Sequence, residues 1–260
     1  MTAAESTAPK GMDAAEVSRG FFAVQLDYAD MLSARSGIDL ADAITYHTNF
    51  HRLFAYGNLA KDPPAKEFLV LVRHVAGEKD ATTRLDHLVA AYARRPPDPW
   101  PPDRIPFGNC FACEAPTPEG VLKIHFRNGE KSGPVGPLHI SRMAQRRADL
   151  TEMFGYVAKT YPFTRRVTGA SWLYNTEGYR RLFPIEFTAS RTALMGPRST
   201  HGLSHWGQFV DFRGYAKPDV AATFRQNLQS LDPDQPWLCF PYPVLNTTAP
   251  FEAFRDEYGL

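Results

Sequence analysis

A chain of 260 residues is long enough for one large domain or two modest ones, each with a hydrophobic core. Its apolar fraction of 43% and charged fraction of 22% are those of a globular protein, and a net charge of +1 supplies no field to draw nucleic acid or an anionic membrane. Three cysteines make no disulfide framework and fit a reducing, cytoplasmic setting, and no apolar run approaches the roughly 18 residues that a membrane crossing needs.

Residues 1–12 are rich in Ala, Ser and Thr without an apolar stretch, and read as a disordered tail rather than a signal peptide. Residues 13–95 read as helices. Val17, Phe21, Val24, Tyr28 and Leu32 recur at helical spacing, and Gly37 can end that helix in the left-handed conformation. Asp39 is placed to cap a second helix with the stripe Leu40, Ala43, Ile44, His47, His51 and Phe54, closing near Gly57. Further stripes are Phe68, Leu71, Val72 and Val75, then Leu85, Leu88, Val89 and Tyr92. The prolines of residues 96–106 cannot continue a helix and predict a stiff, extended connector.

Residues 107–260 read differently. Val121 to Phe126 alternates as a strand, and a Gly/Pro loop leads to a helix from about Ser141 with the stripe Met143, Leu150, Phe154 and Val157, stopped by Pro162. Arg166 to Tyr174 predicts a strand, 176–183 a short helix, and Phe187–Leu194 and His205–Phe212 two more strands. Pro218 opens a last clear helix, and the Pro-rich aromatic end is expected to wrap the surface. The fold class is α+β: an N-terminal helical region, then a mostly antiparallel sheet flanked by helices.

The loop after Phe126 holds Lys131, Ser132, Gly133 and Gly136, with Arg142 and Arg146 in the helix behind it. Glycines allow close backbone approach, and a helix N-terminus with cations beside it suits a phosphate or pyrophosphate; the alternative is a surface loop with solvated charges. The phrases "GPLHISRMAQRRADLTEMFGYVAKTYP", "GASWLYNTEGYRRLFP" and "FTASRTAL" resemble GNAT-type acyltransferases, most of all the divergent GNAT-like C-terminal domain. The counterparts of its motifs are Ile124-His125-Phe126, Gly136-Pro137-Leu138 and Ser171-Trp172-Leu173, and the resemblance covers roughly residues 120–215. It implies a GNAT-like sheet and an acyl-CoA co-substrate whose pyrophosphate sits at the helix after the central strand, held by Lys131, Ser132, Gly133 and Arg142. It also implies that Asn175 contacts the cofactor and that Tyr179 protonates the leaving thiolate. His125 or His47 would serve as base, and the acceptor would be a small amine or hydroxyl.

Other clusters leave alternatives open. His47 and His51 at i and i+4 share a helical face, as core residues, pocket residues or two metal ligands. Cys110-x-x-Cys113 is half a zinc site, to be completed by a histidine such as His201 or His205, or a redox pair, or else structural. His201 and His205 flank Ser204, and Tyr179, Arg180 and Arg181 form a basic-aromatic patch suited to a small anion. Against the acyltransferase stand two rivals: a metal-dependent or zinc-stabilised protein, and a non-catalytic binding protein on the same scaffold, which the absence of a glycine-rich cofactor signature favours.

Overall fold

The computed structural model describes residues 14–59, 63–97, 100–196 and 203–260, so the expected tail lies outside the described residues. α1 (Ala14–Val17) leads into α2 (Arg19–Ser36), which buries Phe21, Val24, Tyr28 and Leu32 as their spacing predicts. Gly37 ends α2 at φ 76°, where a side chain would be strained, and donates its N–H to Ser33 O. Asp39 caps α3 (Leu40–His47) by accepting from the Ala41 N–H at 2.8 Å.

The stripe expected to continue to Gly57 breaks at Thr48. Its backbone is extended, its hydroxyl donates back to Ile44 O at 2.5 Å, and the Asn49 N–H goes to Gln25 Oε1 of α2 at 3.0 Å. A buried glutamine thus diverts a donor that the helical ladder would have used. His51 consequently lies in α4 (Phe50–Leu53), off the helix that carries His47. α5 (Lys66–Gly77) and α6 (Ala81–Ala93) complete this part and pack on each other.

The sheet starts with β1 (Ile105–Phe107), β2 (Phe111–Cys113) and β3 (Val121–Phe126), joined antiparallel. α7 (Met143–Thr160) then crosses to β4 (Arg166–Ser171), which runs parallel to β3. The chain continues through α8 (Glu177–Arg180), α9 (Ile185–Ala189), β5 (Thr192–Ala193), α10 (Leu203–Trp206) and α11 (Pro218–Leu228). It closes with β6 (Leu245–Pro250) and α12 (Phe251–Tyr258). Among the described residues the sheet has six strands in the order β1-β2-β3-β4-β6-β5, and every pairing except β3–β4 is antiparallel. The α+β class therefore holds.

Three local expectations do not. The stretch 187–194 begins in α9 and keeps only the two-residue strand β5, because Pro184 opens a helical turn that buries Phe187 and Thr188. The stretch 205–212 is α10 and a 3-10 turn, in which Trp206 and Phe209 fall three apart on one buried side. Short apolar runs carry no period that separates helix from strand. The end of the chain does not wrap the surface: β6 pairs along all of β4 and α12 packs on α7.

Two hydrophobic cores result. One joins Leu122, Ile124 and Val167 of the sheet to Leu150, Phe154 and Val157 of α7 and Phe254 of α12. The other joins Phe22, Phe50 and Phe68 of the helical region to Trp206, Phe209, Phe224 and Phe240, so residues 206–240 return to the N-terminal helices before the last strand. Among the described residues no helix is long and apolar enough to cross a membrane.

Gly169 of β4 faces the first core, and a Cβ there would collide with the buried Tyr174 hydroxyl, which bonds to Thr247 and Tyr179. Gly169→Ala is expected to lower stability by roughly 1–3 kcal/mol through overpacking. The same change in a Tyr174→Phe background should cost less, because the colliding oxygen is gone. Urea midpoints for the four proteins of this cycle check it; equal costs in both backgrounds would refute the collision.

Candidate functional site at the parting of two parallel strands

β3 and β4 pair only at Val121↔Arg166, Leu122↔Val167 and Lys123↔Thr168. Beyond that register Ile124, His125 and Phe126 pair with β2, and Gly169, Ala170 and Ser171 pair with β6. The two strands thus stop sharing hydrogen bonds and part toward their C-terminal ends, at the side from which α7 departs. Ile124 and Tyr174 fill the core side of this gap at Gly169. His125, on the opposite face, opens to the other side together with Lys123.

A wall of chain from residues 204–213 lies across that second side. The Ser204 hydroxyl reaches Ala170 O at 3.5 Å, Gly207 lies against the Trp172 indole, and Asn128 donates its amide to Phe212 O. Arg213 donates to Gly133 O at 3.2 Å, and the Phe212 ring lies where a side chain at Gly136 would stand. Lys217 places its ammonium 5.1 Å from the Trp172 ring centre, and burial lowers its pKa from the ordinary lysine value.

The expected phosphate loop has a specific electrostatic layout. Gly133 has φ of 104°, Lys131 and Ser132 are exposed, and the Arg142 guanidinium comes to 3.9 Å from where a Cβ on Gly133 would be. Among the described residues no carboxylate pairs with Arg142 or Lys131, so two cations, with Arg213 beside them, face one glycine turn. The amides at the helix start are not the donors that the sequence suggested. A 3-10 turn, Ile140–Arg142, precedes α7; the Ser141 N–H goes to His139 Nδ1, the Arg142 N–H to His139 O and the Met143 N–H to Ile140 O. Side-chain cations, not helix amides, carry the positive potential here.

Arg146, one turn further, is spent inward. Its side chain is 1% exposed and reaches Glu130 Oε1 at 2.7 Å, Asp149 Oδ2 at 3.3 Å and Cys110 Sγ at 2.7 Å. This network ties the loop, α7 and the β1–β2 turn into one unit. Cys110 belongs to that contact and burial raises its pKa; Cys113 sits in β2 opposite Ile124, its thiol pushed up to about 12 by burial. Cys239 lies in the other core. Among the described residues no three His, Cys, Asp or Glu side chains gather as a metal site, and His201 lies outside the described residues.

The remaining candidates are placed as follows. His125 Nε2 meets Glu114 Oε1 at 2.7 Å, with Arg104 Nη2 at 3.6 Å and Lys123 Nζ at 3.9 Å from the same oxygen. Burial, then the charge of Arg104, pushes the His125 pKa down to about 4, so at neutral pH Nε2–H donates to the carboxylate and Nδ1 is the basic nitrogen. Sequence reasoning named His125 but missed Glu114 and Arg104, which only strand pairing brings beside it. Tyr179 is buried between Phe126, Tyr174 and Phe183, and burial raises its pKa well above the phenol value. Asn175 commits its side-chain amide to Trp172 O at 2.6 Å and Pro243 O at 2.9 Å. His47 ends α3, half-buried, and burial lowers its pKa. His51 bonds Gly57 O through Nδ1 and accepts the Ala65 N–H at Nε2, a fully used neutral ring.

Two outcomes follow. Arg146→Met strips the partner from two carboxylates, one of them 5% exposed, and should cost about 3–5 kcal/mol with loss of order in the loop; chemical denaturation checks the cost, and a change below about 1 kcal/mol would contradict the clamp. Burial also lowers the pKa of His205 to about 4, against about 6.5 in an unfolded chain. The unfolded chain therefore binds the proton first, so this part of the stability is present above pH 6.5 and is lost as pH falls toward 4. Urea midpoints at pH 7 and pH 5 should differ, and less so in His205→Leu.

The chain matches no protein family, and no curated protein or solved structure matches it.

Proposed function

We propose that the protein transfers an acyl group from a coenzyme A-type thioester to a small amine or hydroxyl, with the thioester lying in the gap between β3 and β4. The observation that carries this reading is the short three-pair register of the parallel strands, with α7 crossing between them and β6 placed between β4 and β5. The resemblance of residues 120–215 to GNAT-type acyltransferases implies a thioester phosphate group at the helix after the central strand, which corresponds to α7 here. Arg142 and Arg213 at Gly133, with Lys131 two residues before it, supply cations at that place, and among the described residues no carboxylate forms an ion pair with them. Ser132 and Gly133 would offer the hydroxyl and close backbone approach.

In this reading His125 Nδ1 takes the proton from the acceptor nitrogen or oxygen as it bonds to the thioester carbon, and Glu114 stabilises the resulting imidazolium. The carbon–sulfur bond then breaks, and the His125 imidazolium returns the proton to the thiolate. Tyr179, expected as the acid, is buried among Phe126, Tyr174 and Phe183 on the other face of β3 and would support the gap by packing. Asn175 would meet the cofactor through its carbonyl oxygen alone. His47, in the helical region, takes no part. The committed amide of Asn175 and the burial of Tyr179 favour a second reading, in which the same gap binds a thioester without turning it over.

Coenzyme A or acetyl-CoA is expected to raise the melting temperature, and Arg142→Ala with Lys131→Ala should abolish the rise. A flat melting curve across several CoA esters would sink both readings. Where binding occurs, His125→Ala should lower turnover by roughly 100- to 10,000-fold with the melting shift retained; binding with no turnover of any amine or hydroxyl acceptor selects the non-catalytic reading.

A further inference from the structure

The sequence suggested a two-imidazole pair at His47 and His51, which the break at Thr48 separates. The fold makes such a pair elsewhere, from residues 13 apart in the chain. His74 in the last turn of α5 and His87 on α6 bring their Nε2 atoms to 3.0 Å, with ring centres 4.2 Å apart and planes inclined by 66°. His74 is exposed and His87 half-buried, and α5 and α6 pack on each other, so two helices fix the spacing.

We propose that His74 and His87 bind one divalent transition-metal ion of the zinc, nickel or copper type. Imidazole is a preferred ligand of these ions, with metal–nitrogen bonds of about 2.0–2.1 Å. Two nitrogens 3.0 Å apart subtend roughly 91–97° at a metal so bonded, and a small outward swing of the exposed His74 ring reaches the tetrahedral angle. Without metal the contact is a hydrogen bond in which one Nε2–H donates to the other ring. A bound ion takes the place of that proton, which moves through solvent to the vacant Nδ1 of the same ring, so both rings are neutral Nδ1–H tautomers with no net proton released.

The surroundings suit a cation with open positions. Glu78 in the turn between the helices uses Oε1 to accept the Lys79 and Asp80 amides, and its carboxylate lies within Coulomb range of His87. On the other side His74 forms part of the wall of a groove of about 430 Å³, with Glu67, Tyr56, Arg94 and Arg95 around it. The coordination places that the two rings leave open would be filled by water or by a small anion held in that groove. The metal would tie α5 to α6, and the site is independent of the acyl-transfer reading.

The test uses the full chain freed of any affinity tag. Zn²⁺, Ni²⁺ or Cu²⁺, titrated calorimetrically at pH 7.5, should bind at one equivalent with a dissociation constant below about 100 μM, the affinity class of a site with two imidazoles, and should raise the melting temperature, while Mg²⁺ should do neither. His74→Ala and His87→Ala should each weaken binding at least tenfold, and His74→Gln, which keeps the helix surface polar, should do the same. One-equivalent binding that survives in both alanine variants, or no binding up to 1 mM metal, overturns the proposal.

Discussion

The short register between β3 and β4 is the constraint on which the candidate site depends. Three residue pairs join the parallel strands, while β2 pairs with Ile124 to Phe126 on the far edge of β3 and β6 pairs along all of β4 on its far edge. Parallel pairing is slightly the weaker of the two per residue, and sheet twist carries β3 and β4 apart beyond the third pair. Ile124 and Tyr174 occupy the core side of this gap, and Gly169 is the residue that leaves Tyr174 room.

Two arginines one turn apart on the same helix start show how a nearly neutral chain concentrates charge. Arg146 turns inward, and burying a guanidinium with two carboxylates is expensive enough that such a network seldom adds much net stability. Its effect is positional. Glu130 belongs to the loop and Cys110 to the β1–β2 turn, so the buried ion group fixes the loop against the sheet. Arg142 is left outward with Lys131 and without a carboxylate partner among the described residues. By absorbing Glu130, the inner arginine removes the acidic residue nearest the outer cations and so sharpens the positive potential there.

The long elements were legible in the sequence because packing reinforces their period. The α2 stripe, the left-handed stop at Gly37, the Asp39 cap, β3, and α7 were all readable from residue spacing and chemistry. The unread parts share a different cause. β1 and β2 are three residues each, and β6 alternates only Thr247 and Ala249 inward, so neither carries a hydrophobic signal above its neighbours. The helix break at Thr48 depends on a glutamine on another helix, and the 206–209 turn depends on a core 150 residues away in sequence. The site was legible to the same degree: the cationic loop and His125 could be named, whereas Glu114, Arg104 and Arg213 become visible only once strands and loops are paired.

The return of residues 206–240 to the helical core links the two halves of the molecule at the gap. Trp206, Phe209 and Phe224 are buried against Tyr28 and its neighbours, yet the backbone between them spans to β4 through Ser204, to the Trp172 indole through Gly207, and to the loop through Phe212 and Arg213. Gln208 joins the same segment to Tyr242 by two hydrogen bonds, and Asn175 joins Pro243 to the end of β4. The open side of the gap is therefore built by residues whose anchorage lies in the other core. Packing interiors resist small displacements, so the width of the gap is set jointly by both cores and not by the sheet alone. A helical region that makes no direct contact with a ligand in the gap would still determine whether one fits.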